Sequence, residues 1–202
     1  MAKNNKREST FLAPEEIAAL LRVPDKRSLQ GRRDFAILKT LFATGLRSAE
    51  LCSLDVGHVE SYRNQPVLVV NGKGGKVRRV PLHPGALEAI RAYWKAEGRN
   101  GHDPGEPIFQ TLGKHGPYEA RRCTYKVLRH LIATTRKVAL IKRRVTPHTL
   151  RHTFAVSLLD QAVDLRTVQD LMGHASITTT QAYLHTNDEK KLAAVNALTF
   201  GS

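Results

Sequence analysis

Apolar side chains return at helical spacing along most of this chain, and run together as strands in only one short region. After Pro147, which suits a first helical position, Leu150, Phe154, Leu158 and Leu159 recur as the face of an amphipathic helix over roughly 148–161. Asp164 then stands as an N-cap and Gly173 as a C′ residue, bracketing a helix from Leu165 to Met172. Thr178, Thr179 and Thr180 suit the entry of another short helix, whose first turns carry Tyr183. Upstream, Pro14 opens a docking helix with Glu15 and Glu16 in its first turn and Ile17, Leu20 and Leu21 on one face. Phe35, Leu38, Leu41 and Phe42 mark a helix from about Arg32 to Thr44 that stops at Gly45. Leu87, Ile90, Tyr93 and Trp94 mark another, opening at His83-Pro84 and ending near Gly98.

The period changes at Val67-Leu68-Val69-Val70 and at Lys76 to Pro81, two β-rich runs joined by Asn71-Gly72-Lys73-Gly74-Gly75. That pattern predicts a hairpin with Lys73 at its tip. Residues 99–118 hold Asp103-Pro104-Gly105 and His115-Gly116-Pro117 and predict loop around the apolar pair Ile108-Phe109. In the helix expected next, Val127, Leu128, Leu131 and Ile132 face inward, while Arg121, Arg122, Lys126 and Arg129 face outward. A last helix, Asn187 to Ala197, carries the short apolar stripe Leu192, Val195 and Leu198. Together these elements predict an α+β, mostly α-helical fold with a small antiparallel sheet or hairpin.

Charge narrows the function classes. Lys and Arg total 32 against 18 for Asp and Glu, a balance of +14 over 202 residues, and such a surface draws polyanions by steering and by counterion release. Nucleic acid is the leading partner. A membrane is not expected, because no spanning or signal-length apolar run and no basic helix with a bulky aromatic face is present. Cys52 and Cys123 form no C-x-x-C pair, so neither a disulfide framework nor a cysteine zinc site is indicated, and a reducing cytoplasm fits.

The candidate chemistry lies between Thr146 and His185. His148-x-x-Arg151, then Leu171-Met172-Gly173-His174, then Tyr183 resembles the C-terminal signature of the tyrosine recombinases, the family of phage integrases and Xer-type resolvases. The resemblance covers about residues 10–198. It implies two further members upstream, and both are found. Arg47, just after Gly45-Leu46, matches the first arginine of the family, with Glu50 as its support. Lys73, in Gly72-Lys73-Gly74, matches the family's lysine. His152, one helical turn from His148, could in principle share a zinc ion, but no third ligand is nearby and it reads as packing. Type IB topoisomerases share the chemistry without this combination of motifs.

What the resemblance implies is a site-specific recombinase with the fold of the tyrosine recombinase catalytic domain. Tyr183 attacks a DNA phosphodiester, forms a 3′-phosphotyrosyl link and frees a 5′-hydroxyl. A phenol with a pKa of about 10 must pass its proton to a neighbour, and His148 is the expected acceptor. Arg47 and Arg151 offer planar forks to the phosphate oxygens. Lys73 can protonate the departing 5′-oxygen, while His174 bonds a non-bridging oxygen or positions Tyr183. No cofactor, ATP or metal is expected. The scaffold could also serve a non-catalytic DNA-binding regulator, which leaves the intact set of six residues unexplained.

Arg121, Arg122, Lys126, Lys142, Arg143 and Arg144 are candidate DNA contacts. Residues 1–9 read as a flexible basic tail, 10–186 as the catalytic domain, and 187–202 as an exchange helix that docks on a neighbouring protomer in a tetramer on DNA. Accessory DNA-bending proteins and a cytoplasmic, nucleoid-associated location fit the same picture. Relatives place a core-binding domain before this one, and none is seen here. The chain reads either as an excised fragment or as a naturally short enzyme, similar in length to the fimbrial phase-switch invertases.

Overall fold

Helix α2 (Leu29–Thr44) is the most enclosed element of the computed structural model, which describes residues 11–72, 75–99, 103–111, 121–173 and 195–198. Ala36, Ile37, Leu38, Leu41, Phe42 and Ala43 are all buried, so α2 has neighbours on most of its sides. The helix begins where the Ser28 hydroxyl accepts from the Gly31 N–H at 3.0 Å and ends where Gly45 turns left-handed at φ 59°. Helix α4 (Pro84–Ala96) packs along it, and α6 (Pro147–Asp160) crosses another side. With α1 (Pro14–Arg22) and α5 (Tyr125–Val138), these helices bury Leu20, Ile90, Tyr93, Leu128 and Leu150 in one core. Each large side chain so buried contributes about 1.5–3 kcal/mol.

A second, smaller cluster joins Phe154 and Leu158 of α6 to Val168, Leu171 and Met172 of α7 (Leu165–Met172), and to Val195 and Leu198. Helix α6 therefore bridges two cores, and this corrects the expected one-sided face. Leu159 is 42% exposed while Thr153 is buried, because the helix is packed from more than one direction. Thr153 is not stranded there: its hydroxyl donates to the Thr149 carbonyl and accepts from the Leu12 N–H at 2.9 Å. Val195 and Leu198, part of the expected last helix, are covered by their own chain; 187–194 lie outside the described residues.

The predicted hairpin is present and has a third strand. β2 (Gln65–Asn71) pairs antiparallel with β3 (Val77–Pro81), Val69 opposite Arg79, and with β1 (Val59–Tyr62) on its other edge. β1 escaped the pattern because Val-Glu-Ser-Tyr is hardly apolar. Its tight turn also uses Arg63 and Asn64, at φ 51° and 62°, where glycine or an Asn-Gly pair is usual.

A second correction concerns Arg121 and Arg122. They do not sit on the helix but form β5 (Arg121–Arg122), paired with β4 (Gln110–Thr111). The ladder takes up their backbone groups, and the helix starts only after Thr124, whose hydroxyl accepts from the Val127 N–H. No helix among the described residues is long and apolar enough to cross a membrane.

Candidate active site

Gly45 places the first arginine and the second in one corner. A side chain there would meet Phe154 Cδ1 at 2.3 Å, so only glycine allows the end of α2 to lie against α6 while adopting a positive φ. Two residues later Arg47 stands at the N-cap of α3 (Ser48–Ser53). From α6, Arg151 reaches back and donates through Nη1 to the Gly45 carbonyl at 2.5 Å and through Nη2 to the Met172 carbonyl at 2.6 Å. Arg47 Nη2 donates to the next carbonyl, that of Gly173, at 3.0 Å. The last carbonyls of α7, the negative end of its dipole, thus hold both guanidiniums. Each guanidinium has five N–H donors, so both retain donors beyond these contacts.

Glu50 completes the corner from below. The Arg47 N–H donates to its Oε2 at 2.8 Å, and Arg47 Nη1 donates to Oε1 at 2.9 Å. From β3, Arg78 donates through Nη1 to Oε1 at 2.9 Å and through Nη2 to Oε2 at 3.0 Å. Burial pushes the Glu50 carboxyl up, but the bonds and charges of Arg78 and Arg47 prevail and hold it below its ordinary range. Arg151 is shifted the other way for a cation: burial, then the nearby charge of Arg47, brings its pKa down to about 10 against the pull of Glu50. It stays charged at neutral pH.

His148 and Arg151 are three apart on α6 and share one side of it. His148 is exposed in the first turn, opened by Pro147 and capped by Thr146, whose hydroxyl accepts from the Thr149 N–H at 3.2 Å. His152 packs edge-on against the Phe11 ring, with centroids 6.1 Å apart, as its reading as packing expected. The other expected site residues, Lys73, His174 and Tyr183, lie outside the described residues.

The candidate DNA contacts divide in two. Arg121, Lys126, Lys142 and Arg144 are exposed. Arg122 is turned inward: Nη2 donates to Asp55 Oδ1 at 2.6 Å, and Nη1 to the Cys52 and Leu54 carbonyls. Arg143 is paired with Glu16 of α1. Arg136 gathers the Ile141, Lys142 and Arg143 carbonyls on Nη1 and so shapes this basic stretch.

The profile of the phage integrase family matches residues 10–190. This chain belongs to the phage integrase family. Among similar proteins, the tyrosine recombinase XerC of Bacillus subtilis (strain 168) is 35% identical over 194 residues, 94% of this chain and 61% of its own length. The tyrosine recombinase XerD of Chlamydia pneumoniae is 38% identical over 189 residues, 89% of this chain and 58% of its own. The crystal structure of XerA recombinase superposes with a TM-score of 0.67 at 30% identity, covering 89% of this chain and 61% of that one. This chain thus spans about six tenths of the length of the curated relatives it matches. The integrase fold is the α+β, mostly helical arrangement expected above.

Arg78 is the member of the corner that the motif did not supply. Strand alternation carries the signal: residues 78 and 80 lie on one side of β3, Val80 is fully buried, and an arginine on that side needs an acidic partner.

Proposed function

We propose that this chain carries the strand-cutting and strand-joining centre of a site-specific DNA recombinase. The observation that supports it most is the convergence of Arg47 and Arg151 at the end of α7, one residue before His174. Two permanently charged forks in one corner suit a phosphodiester whose non-bridging oxygens gain charge as it is attacked. The Tyr183 hydroxyl forms a bond to phosphorus as its proton passes to His148, and the bond from phosphorus to the 5′-oxygen breaks. Lys73 supplies the proton that makes the leaving group a 5′-hydroxyl. His174 steadies a non-bridging oxygen or the phenol. Attack by another 5′-hydroxyl reverses the sequence, and the phosphotyrosyl bond conserves the energy needed to reseal. The reading calls for neither ATP nor metal, since arginines carry the positive charge.

Double-stranded DNA is the substrate, with exposed Arg121, Lys126, Lys142 and Arg144 along its backbone. Arg122 and Arg143 act as internal braces first. The working assembly is a tetramer on paired sites joined through 187–202, with DNA-bending proteins as accessory partners at the cytoplasmic nucleoid. Because Val195 and Leu198 are covered by their own chain, exchange of that segment requires it to leave α6 and α7.

A pool of nicked random-sequence duplexes tests the reaction without a known target. Cleavage next to the nick releases a short fragment and traps the covalent adduct, which can be isolated in denaturant and sequenced. Wild-type protein should yield adducts in excess chelator, and Tyr183→Phe should bind the recovered duplex but yield none. Binding with no adduct from wild type would instead indicate a non-catalytic DNA-binding regulator.

A further inference from the structure

Arg78 belongs to none of the signature motifs, yet it touches both groups that hold Arg47. Its two terminal nitrogens meet the two Glu50 oxygens at 2.9 and 3.0 Å, a fork-on-fork pair that fixes the plane of the carboxylate. The same two oxygens accept from the Arg47 N–H and Nη1. A carboxylate bound to Arg47 alone could follow it about; gripped from the sheet, it cannot. On its other side Arg78 lies against Gly173, where an added Cβ would come within 2.7 Å of Arg78 Cζ, and the Gly173 carbonyl accepts from Arg47. The Arg78 Nε is buried with no partner among the described residues. The two terminal nitrogens are thus committed to Glu50.

We propose that Arg78 is a positioning residue: by fixing Glu50 and closing against Gly173, it sets the plane in which Arg47 meets the scissile phosphate. Arg78 does not itself contact DNA. A 41% exposed arginine side chain on a long stem would otherwise sample many orientations, and displacement by about 1 Å can cost roughly 100-fold in rate. The idea rests on the strand-cutting reading above, and the experiment keeps the two apart.

The probe is the nicked duplex recovered with wild-type protein, and the readouts are the single-turnover adduct rate at saturating DNA, the DNA dissociation constant and the melting temperature. Arg78→Ala should slow adduct formation about 100-fold with little change in affinity. Because it acts through Arg47, the Arg47→Ala/Arg78→Ala pair should be no slower than Arg47→Ala, to within about twofold. Multiplied losses in the pair, or an Arg78→Ala rate equal to wild type, would overturn the proposal. Should Arg78→Ala fail to fold, Arg78→Lys keeps a cation beside Glu50 but lacks the fork. A folded Arg78→Lys protein should still be slow, and one as fast as wild type would refute the role. If wild type itself gives no adduct, the reaction is at fault and not the role of Arg78.

Discussion

Arg47 and Arg151 bring the same charge to one corner and are held in opposite ways. Arg151, 6% exposed, is gripped by two carbonyls, whereas Arg47 is gripped by a carboxylate and one carbonyl. A carbonyl orients a guanidinium without cancelling its charge; a carboxylate does both. Arg151 therefore keeps its full charge and bears the desolvation, seen in a pKa lowered to about 10. Glu50 shares its single negative charge between Arg47 and Arg78, which leaves that side half compensated and open to solvent. Under the proposed chemistry the deep arginine supplies a fixed field, and the shallow one a contact whose direction is set by its neighbours.

The contrast is broken most severely at its buried end. Arg151→Ala should slow covalent cleavage about 10³-fold, the scale of losing a donor to a developing oxyanion. It also strips the donors from two carbonyls at about 1–3 kcal/mol each if they stay buried, so the melting temperature should fall with the rate. Next comes the hinge that lets the two arginines meet. Gly45→Ala must accept a left-handed backbone and a contact with Phe154 at 2.3 Å. A loss of about 2–4 kcal/mol in denaturant unfolding is expected from the two effects.

The smallest effect tests the shallow side. The Glu50 carboxyl is held below its ordinary value, so its contribution to stability is present above that value and lost as pH falls through the lowered one. Glu50→Gln should cost about 1.5–3 kcal/mol near neutral pH, and the gap in melting temperature from wild type should close in acid. A gap constant with pH would show that charge plays no part in holding the two arginines.

Marked ends were legible in the sequence: α7 runs from its Asp164 cap to Gly173, and α2 ends at Gly45, although it begins at Leu29 behind the Ser28 cap and not at about Arg32 as expected. Among the paired strands only the β2–β3 hairpin was legible. β1 pairs with β2 across the tight turn at Arg63-Asn64, but neither it nor the β4–β5 ladder is marked by an apolar run. In the site, the motif supplied Arg47, Glu50 and Arg151. It could not supply Arg78, whose guanidinium meets Glu50 of α3 only once β3 is in place, nor show that Arg122 and Arg143 are paired with Asp55 and Glu16. A basic residue read along a chain looks the same whether it faces DNA or an internal carboxylate.

If two guanidiniums offset charge growing on the attacked phosphate, replacing a non-bridging oxygen of the scissile linkage with a methyl group should make one of them dispensable. That methylphosphonate is neutral and needs far less compensation. Single-turnover adduct formation should then differ little between wild type and Arg151→Ala, although the same pair should differ about 10³-fold on the natural phosphodiester. An equal gap on both linkages would show instead that Arg151 acts through structure alone.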